Sequence, residues 1–324
     1  MPVNLVTGER YAPRPTDFMT RLAAVAPTGD CPLWRKFLDR VTDGDMDLQA
    51  YLQRVAGYCL TGHTSEHAIF FLWGTGANGK SVFVNTLTGI MGDYAIVAPM
   101  EVFVETKNDR HPTELAMLRG ARLVVASETQ AGRHWNEARI KALTGGDRIP
   151  ARFMRGDFFQ FIPQFKLMIS GNHKPSLRNV DEAIRRRLHL IPFKVTIPPN
   201  ERDPELPDKL RDEWPGIMHW AVAGCLEWRR IGLCPPETVQ RATADYLLSE
   251  DDVMEWIAEC CEEEATAETK SSVLYNSWKL WAERAGRKGG AGSQKAFSQA
   301  LEDKSYTKRK TRTGAMFQGL RVRP

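Results

Sequence analysis

Several chemistries are missing from this chain of 324 residues. Its six cysteines stand at 31, 59, 225, 234, 260 and 261 with no Cys-x-x-Cys pair, so neither a zinc framework nor the disulfide ladder of a small secreted scaffold is expected. His63 and His67 lie four residues apart without an evident third ligand, which argues against a metal site there. The opening stretch MPVNLVTGER has no apolar signal core, and the longest apolar runs, such as Ala68 to Trp73, are far too short to span a bilayer. Internal repeats and low-complexity tracts are also lacking. The expectation is a soluble protein of a reducing, cytoplasmic compartment with no membrane partner.

Charge is present in quantity but unevenly placed. From Arg284 to Pro324 there are eleven Lys/Arg against two Asp/Glu, while the residues before them carry 33 basic and 38 acidic side chains. A chain with a net charge of +4 therefore ends in a segment of +9. Such a basic end suits a nucleic-acid surface or, more simply, a solvated tail.

The length predicts two or three domains. Residues 1–66 read as a proline-rich arm, laid over a surface or contributed to a neighbour, followed by two helices. One helix starts near Asp30 with Leu33, Trp34, Phe37, Leu38 and Val41 on its apolar face; the other starts near Asp47 with Leu48, Tyr51, Leu52, Val55 and Tyr58. Over 67–200, apolar strand-length runs (Ala68 to Trp73, Leu123 to Ala126, Leu167 to Ser170, Leu190 to Phe193) alternate with helical or turn-rich stretches. That alternation predicts a three-layer α/β domain around a largely parallel sheet. Residues 201–268 read as helical, including a stretch from Asp251 to Glu264. Residues 269–324 read as helix, a turn at Arg287 to Gly290, helix, and two strands around Thr313-Gly314, the order of a winged-helix module.

The strongest chemical signal is Gly74-Thr75-Gly76-Ala77-Asn78-Gly79-Lys80-Ser81, a complete G-x-x-x-x-G-K-S between an apolar strand and a helix. Gly74, Gly76, Ala77, Asn78 and Gly79 would turn backbone N–H groups toward a polyphosphate. Lys80 would reach the outer phosphates, Ser81 would ligate Mg²⁺, and the helix N-terminus adds partial positive charge. ATP and Mg²⁺ are the implied cofactors. Leu123 to Glu128 is an apolar strand ending in a carboxylate, where a P-loop ATPase needs an acid for magnesium or water, and Phe165 to Asn172 is a strand ending in an amide that could contact the γ-phosphate. Arg185-Arg186-Arg187 follows, a candidate source of an arginine for a neighbour's γ-phosphate.

These motifs, in the order FLWGTGANGKS, ARLVVASET, NEARIKALTGGDRIPARFMRGDFFQFIP, FKLMISGNHKP and DEAIRRRLHLIPF, resemble the superfamily 3 helicases of the AAA+ class, specifically the helicase half of phage and plasmid primase-helicases. The Leu60-Thr61-Gly62 element and the C-terminal SQKAFSQALEDKSYTKRK stretch extend the resemblance over nearly the whole chain. It implies a P-loop AAA+ ATPase core with an N-terminal helical segment and a C-terminal winged-helix-like module. It further implies hexameric rings that hydrolyse ATP between subunits and draw single-stranded DNA through a channel, in phage or mobile-element replication within a bacterial host. Carried over, Gly79, Lys80 and Ser81 match the phosphate loop, Glu128 the acid, Asn172 the sensor, and Arg186 or Arg187 the finger. Lys141 with Gly145-Gly146-Asp147 matches the family's extra motif. Two departures stand out: Ser127 precedes Glu128 where many relatives have a second acid, and Arg185 occupies a position often aromatic.

Residues Ile149 to Phe161 also suit a hairpin whose tip, with Arg152, Phe153 and Arg155, could grip a nucleic-acid backbone. An ATP-driven helicase on single-stranded or forked DNA is the leading expectation; an initiator or loader that remodels DNA without processive unwinding is the alternative. A nucleotide kinase needs neither the sensor and arginine set nor a basic tail. No primase or polymerase motif is visible, so such an activity would belong to a separate or fused partner, or not be associated at all.

Overall fold

The computed structural model describes every residue except 106–112, 129–132, 178–179, 287–292, 305, 312–313 and 324. The turn expected at Arg287 to Gly290, and Thr313 of the expected hairpin turn, lie outside the described residues. Two units account for the rest: 1–176 with 186–243, and 177–185 with 244–324.

In order along the chain come α1 (Pro32–Thr42), α2 (Met46–Cys59), β1 (Ile69–Trp73), α3 (Lys80–Met91), β2 (Ala95–Val97), α4 (Thr113–Ala116), β3 (Leu123–Glu128), α5 (Glu137–Gly145), β4 (Ile149–Arg152), β5 (Phe158–Phe161) and β6 (Lys166–Gly171). After them come α6 (Glu182–Arg185), β7 (Leu188–Pro192), α7 (Leu206–Asp212), α8 (Trp214–Ile231), α9 (Glu237–Ser249), α10 (Asp252–Cys260), β8 (Cys261–Lys270), α11 (Ser271–Arg284), α12 (Gln294–Asp303), β9 (Lys308–Thr311) and β10 (Gly314–Val322).

The first unit is built on a five-stranded sheet of order β2-β3-β6-β1-β7, parallel at every pairing. Its strands are near-continuous apolar runs because both faces are covered. Phe70, Leu72, Met168 and Val125 join a core with α1, α2, α3 and α8. On β1 Phe71 alternates with them and meets Trp135 edge-on at 5.8 Å. This is the α/β architecture that the alternation of runs predicts.

Trp34 of α1 joins the helices of that core: it stacks on Phe83 of α3 at 5.6 Å and meets Trp220 of α8 edge-on at 5.6 Å. Helices α1, α2, α7 and α8 thus share one core with the sheet. The helix starts also shift. The first turn of α1 is capped from a distance, with the Glu213 carboxylate accepting from Leu33 N and Trp34 N at 2.9 Å each. For α2 the cap is Asp45, accepting from Leu48 N at 2.9 Å.

The second unit has a three-stranded antiparallel sheet of order β8-β10-β9. Trp256, Trp278, Phe297, Phe317 and Leu320 form its core. The helix expected from Asp251 to Glu264 ends at Cys260, and the ten residues that follow are a strand. Glutamates at 262 to 264 favour helix locally, but pairing with β10, Glu262 opposite Arg321 and Thr269 opposite Phe317, prevails. The cut placed at 269 therefore runs through β8. Asp251, 4 % exposed at its side chain, is bonded by Lys304 and by Arg185 (3.2 Å) and caps α10.

Candidate nucleotide site

The loop after β1 holds conformations that few residues accept. Gly76 has φ +111°, Ala77 +48° and Gly79 +84°, so the chain turns sharply before α3 begins at Lys80. A Cβ at Gly79 would also lie 2.5 Å from Val41 and 2.9 Å from Phe37, because α1 abuts the loop.

Three strand ends lie side by side here. Gly171, the last residue of β6, pairs with Trp73 of β1 on one side and Glu128 of β3 on the other. The loop, the acid's backbone and Asn172 thus share the C-terminal edge of a parallel sheet, where such sheets bind ligands. The Lys80 ammonium donates to Gly74 O at 2.7 Å and to Asn78 Oδ1 and Asn172 Oδ1 at 3.1 Å each. Lys80 and Asn172, 92 positions apart, are thereby brought together. All three acceptors are neutral, and burial alone draws the lysine's pKa down. An uncompensated cation beside the N-terminus of a twelve-residue helix suits a polyphosphate.

Ser81 is exposed in the first turn of α3, in reach of solvent and of a cation there. Ser127, which stands where a second acid is frequent, has its hydroxyl 3.3 Å from that of Ser170 on β6. Among the described residues no group of three or more His, Cys, Asp or Glu could hold a metal.

The arginines separate by environment. Arg186 is exposed in the turn before β7. Arg187 is 5 % exposed; its Nε donates to Thr144 Oγ1 at 3.1 Å and its carbonyl accepts from Ile69 N at 2.8 Å. Arg187 thus anchors the end of α5, next to Gly145-Gly146-Asp147, where Gly146 (φ +84°) closes the helix. Lys141 is half-buried on the same helix.

Away from the loop, β4 and β5 form a two-stranded hairpin with Arg152 opposite Phe158. Arg152 lies over the Phe158 ring at 5.1 Å, and Phe153 stacks on Phe159 at 5.2 Å. The tip exposes Phe153, Met154 and Arg155, the last with φ +58°.

Sequence reasoning missed the grip on the loop from beyond β7. Phe193 N donates to Trp73 O at 2.7 Å, Ile197 N to Ala77 O at 2.8 Å, and Asn78 Nδ2 to Phe193 O at 3.0 Å. Only the polar Asn78 inside an otherwise glycine-rich loop hinted at a specific partner. Among the described residues no helix is long and apolar enough to cross a membrane.

Comparison with known proteins follows the same division. Residues 72–187 match a family of unknown function (DUF5906), and 248–319 match the poxvirus D5 protein-like family. The chain is 29 % identical over 260 residues to "Putative helicase L207/L206" of Acanthamoeba polyphaga mimivirus, covering 73 % of this chain and 27 % of that protein. It is 24 % identical over 262 residues to "Putative helicase 022R" of Frog virus 3, covering 73 % of this chain and 26 % of that one. The chain spans about a quarter of the length of these relatives. Among solved structures, the apo C-terminal region of NrS-1 shares the fold: two forms give TM-scores of 0.56 and 0.52 at 10 % and 12 % identity, over 95 % and 97 % of this chain and 79 % of each. In sequence the chain is thus similar to putative helicases of large DNA viruses, and in fold to the C-terminal region of NrS-1.

Proposed function

We propose that the protein is an ATP-driven helicase acting in DNA replication of a virus, phage or mobile element. The observation that carries this is the meeting of Lys80, Asn78 and Asn172 at the C-terminal edge of the sheet, beside the strand that ends in Glu128. Loop N–H groups and Lys80 bind and orient the β- and γ-phosphates, and Asn172, now bonded to Lys80, turns to the γ-phosphate or the attacking water. Mg²⁺, held by Ser81 and Glu128, would supply neutralisation of phosphate charge. Glu128 polarises the water, and Arg186 is the better placed of the two arginines to reach a neighbour's γ-phosphate, since Arg187 is spent on Thr144. That requires a ring of subunits, a hexamer in this reading.

The hairpin tip, with Arg152, Phe153 and Arg155, holds single-stranded DNA through phosphates and stacking, with Lys141 as a further contact. The second unit, whose order of helix, strand, two helices and hairpin fits a winged helix, adds basic surface for DNA. A primase or polymerase, separate or fused, would be its natural partner, and the cytoplasm its site of action. The test is ATP hydrolysis with and without single-stranded DNA. The wild type should hydrolyse ATP faster with DNA, and Lys80→Ala should not hydrolyse it at all; equal turnover by the two would refute the site.

A further inference from the structure

Two amides meet the Lys80 ammonium, and only Asn172 lies at the sensor position. The other, Asn78, sits inside the phosphate loop at 3 % exposure, with both ends of its carboxamide engaged. Its Oδ1 accepts from Lys80 Nζ at 3.1 Å and its Nδ2 donates to Phe193 O at 3.0 Å. Chemistry fixes this orientation, because the flipped amide would set an NH₂ against an ammonium and an oxygen against a carbonyl. The surroundings are built tightly around it. A Cβ at Gly74 would lie 2.1 Å from Asn78 Nδ2 and 2.2 Å from Phe193 O, so this glycine serves the cross-link and not a turn.

Resting on the nucleotide reading of the same site, we propose that Asn78 is a positioning residue, whose neutral carboxamide holds the Lys80 ammonium for a polyphosphate and pins the loop to the segment after β7. Neutrality matters as much as reach. A carboxylate at 78 would pair with Lys80, place a negative charge where phosphates must bind, and oppose the Phe193 carbonyl. An alanine would leave the ammonium one acceptor short and the loop untied from Phe193, without adding charge.

The two substitutions therefore separate positioning from packing. Asparagine and aspartate are nearly equal in size, so a residue that merely fills space tolerates Asn78→Asp better than Asn78→Ala. A residue that positions the lysine gives the reverse. Binding of Mg-ATP to the full chain, measured by calorimetry alongside a thermal melt, should fall roughly 10-fold in Asn78→Ala and on the order of 100-fold in Asn78→Asp. Should Asn78→Asp not fold, Asn78→Ser and Asn78→Cys replace it: the hydroxyl accepts from Lys80 and should bind ATP several-fold tighter than the thiol. Wild-type binding with Asn78→Asp equal to or tighter than Asn78→Ala, or with Ser and Cys alike, overturns this proposal and leaves the nucleotide site standing. Absence of ATP binding by the wild type would overturn both.

Discussion

Replacing Arg186 and Arg187 by alanine, one at a time, should produce opposite failures. Arg187 is 5 % exposed and bonded to Thr144 Oγ1, so its removal leaves a buried hydroxyl without that partner and strips the packing of its stem. Lost charge-assisted bonds cost about 1.5–3 kcal/mol, and with the lost packing the total is about 2–4 kcal/mol. At roughly 2–4 °C per kcal/mol for a domain of this size, the midpoint should drop by about 4–16 °C. Arg186 is exposed, so its alanine variant should melt within about 0.5 kcal/mol of wild type. Its loss should instead appear in turnover, by a factor of roughly 10³ to 10⁵ at unchanged ATP affinity. Mixing Arg186→Ala with Lys80→Ala should restore part of the activity at mixed interfaces. Differential scanning fluorimetry and a steady-state ATPase assay suffice. Normal turnover by Arg186→Ala, or lost turnover by an Arg187→Ala protein that melts like wild type, would refute the division of roles.

Glu128→Gln should bind ATP and fail to turn it over; near-normal hydrolysis would move the acid elsewhere. Arg152→Ala and Arg155→Ala should each weaken single-stranded DNA binding alike for all sequences and lower the salt slope by about 0.7 per lost phosphate contact, and an unchanged slope would make the hairpin a plain surface feature. Lys166, 2 % exposed beneath the Tyr58 ring, has its pKa drawn down from 10.5 to about 7 by burial first and by Arg122. Between those values the unfolded chain binds a proton that the folded one does not, so this lysine's penalty is complete below pH 7 and eases as pH rises toward 10. The stability of wild type relative to Lys166→Met should therefore increase from pH 7 to 9, and a flat difference in chemical denaturation would contradict it.

Local pattern carried much of the candidate site. The loop from Gly74 to Ser81 is contiguous, and the strands ending at Glu128 and Asn172 are apolar runs whose ends are visible without knowing their neighbours. What escaped depends on contacts far along the chain. Glu213 caps α1 by accepting from Leu33 N, 180 positions earlier, and β8 owes its conformation to β10, against the helical leaning of its glutamates. Arg186 and Arg187 are identical in composition and adjacent, and only burial against α5 tells them apart. The tie from Asn78 to Phe193 spans 115 positions and is likewise invisible to spacing.

The central claim, that ATP turnover at this loop drives strand separation, is tested most directly by unwinding of a forked DNA duplex in Mg-ATP. The wild type should separate the strands only with ATP, and Lys80→Ala should bind the fork without separating it. A wild type that hydrolyses ATP and binds the fork yet leaves it paired, or melts only a few base pairs without advancing, would contradict the helicase account and favour an initiator or loader.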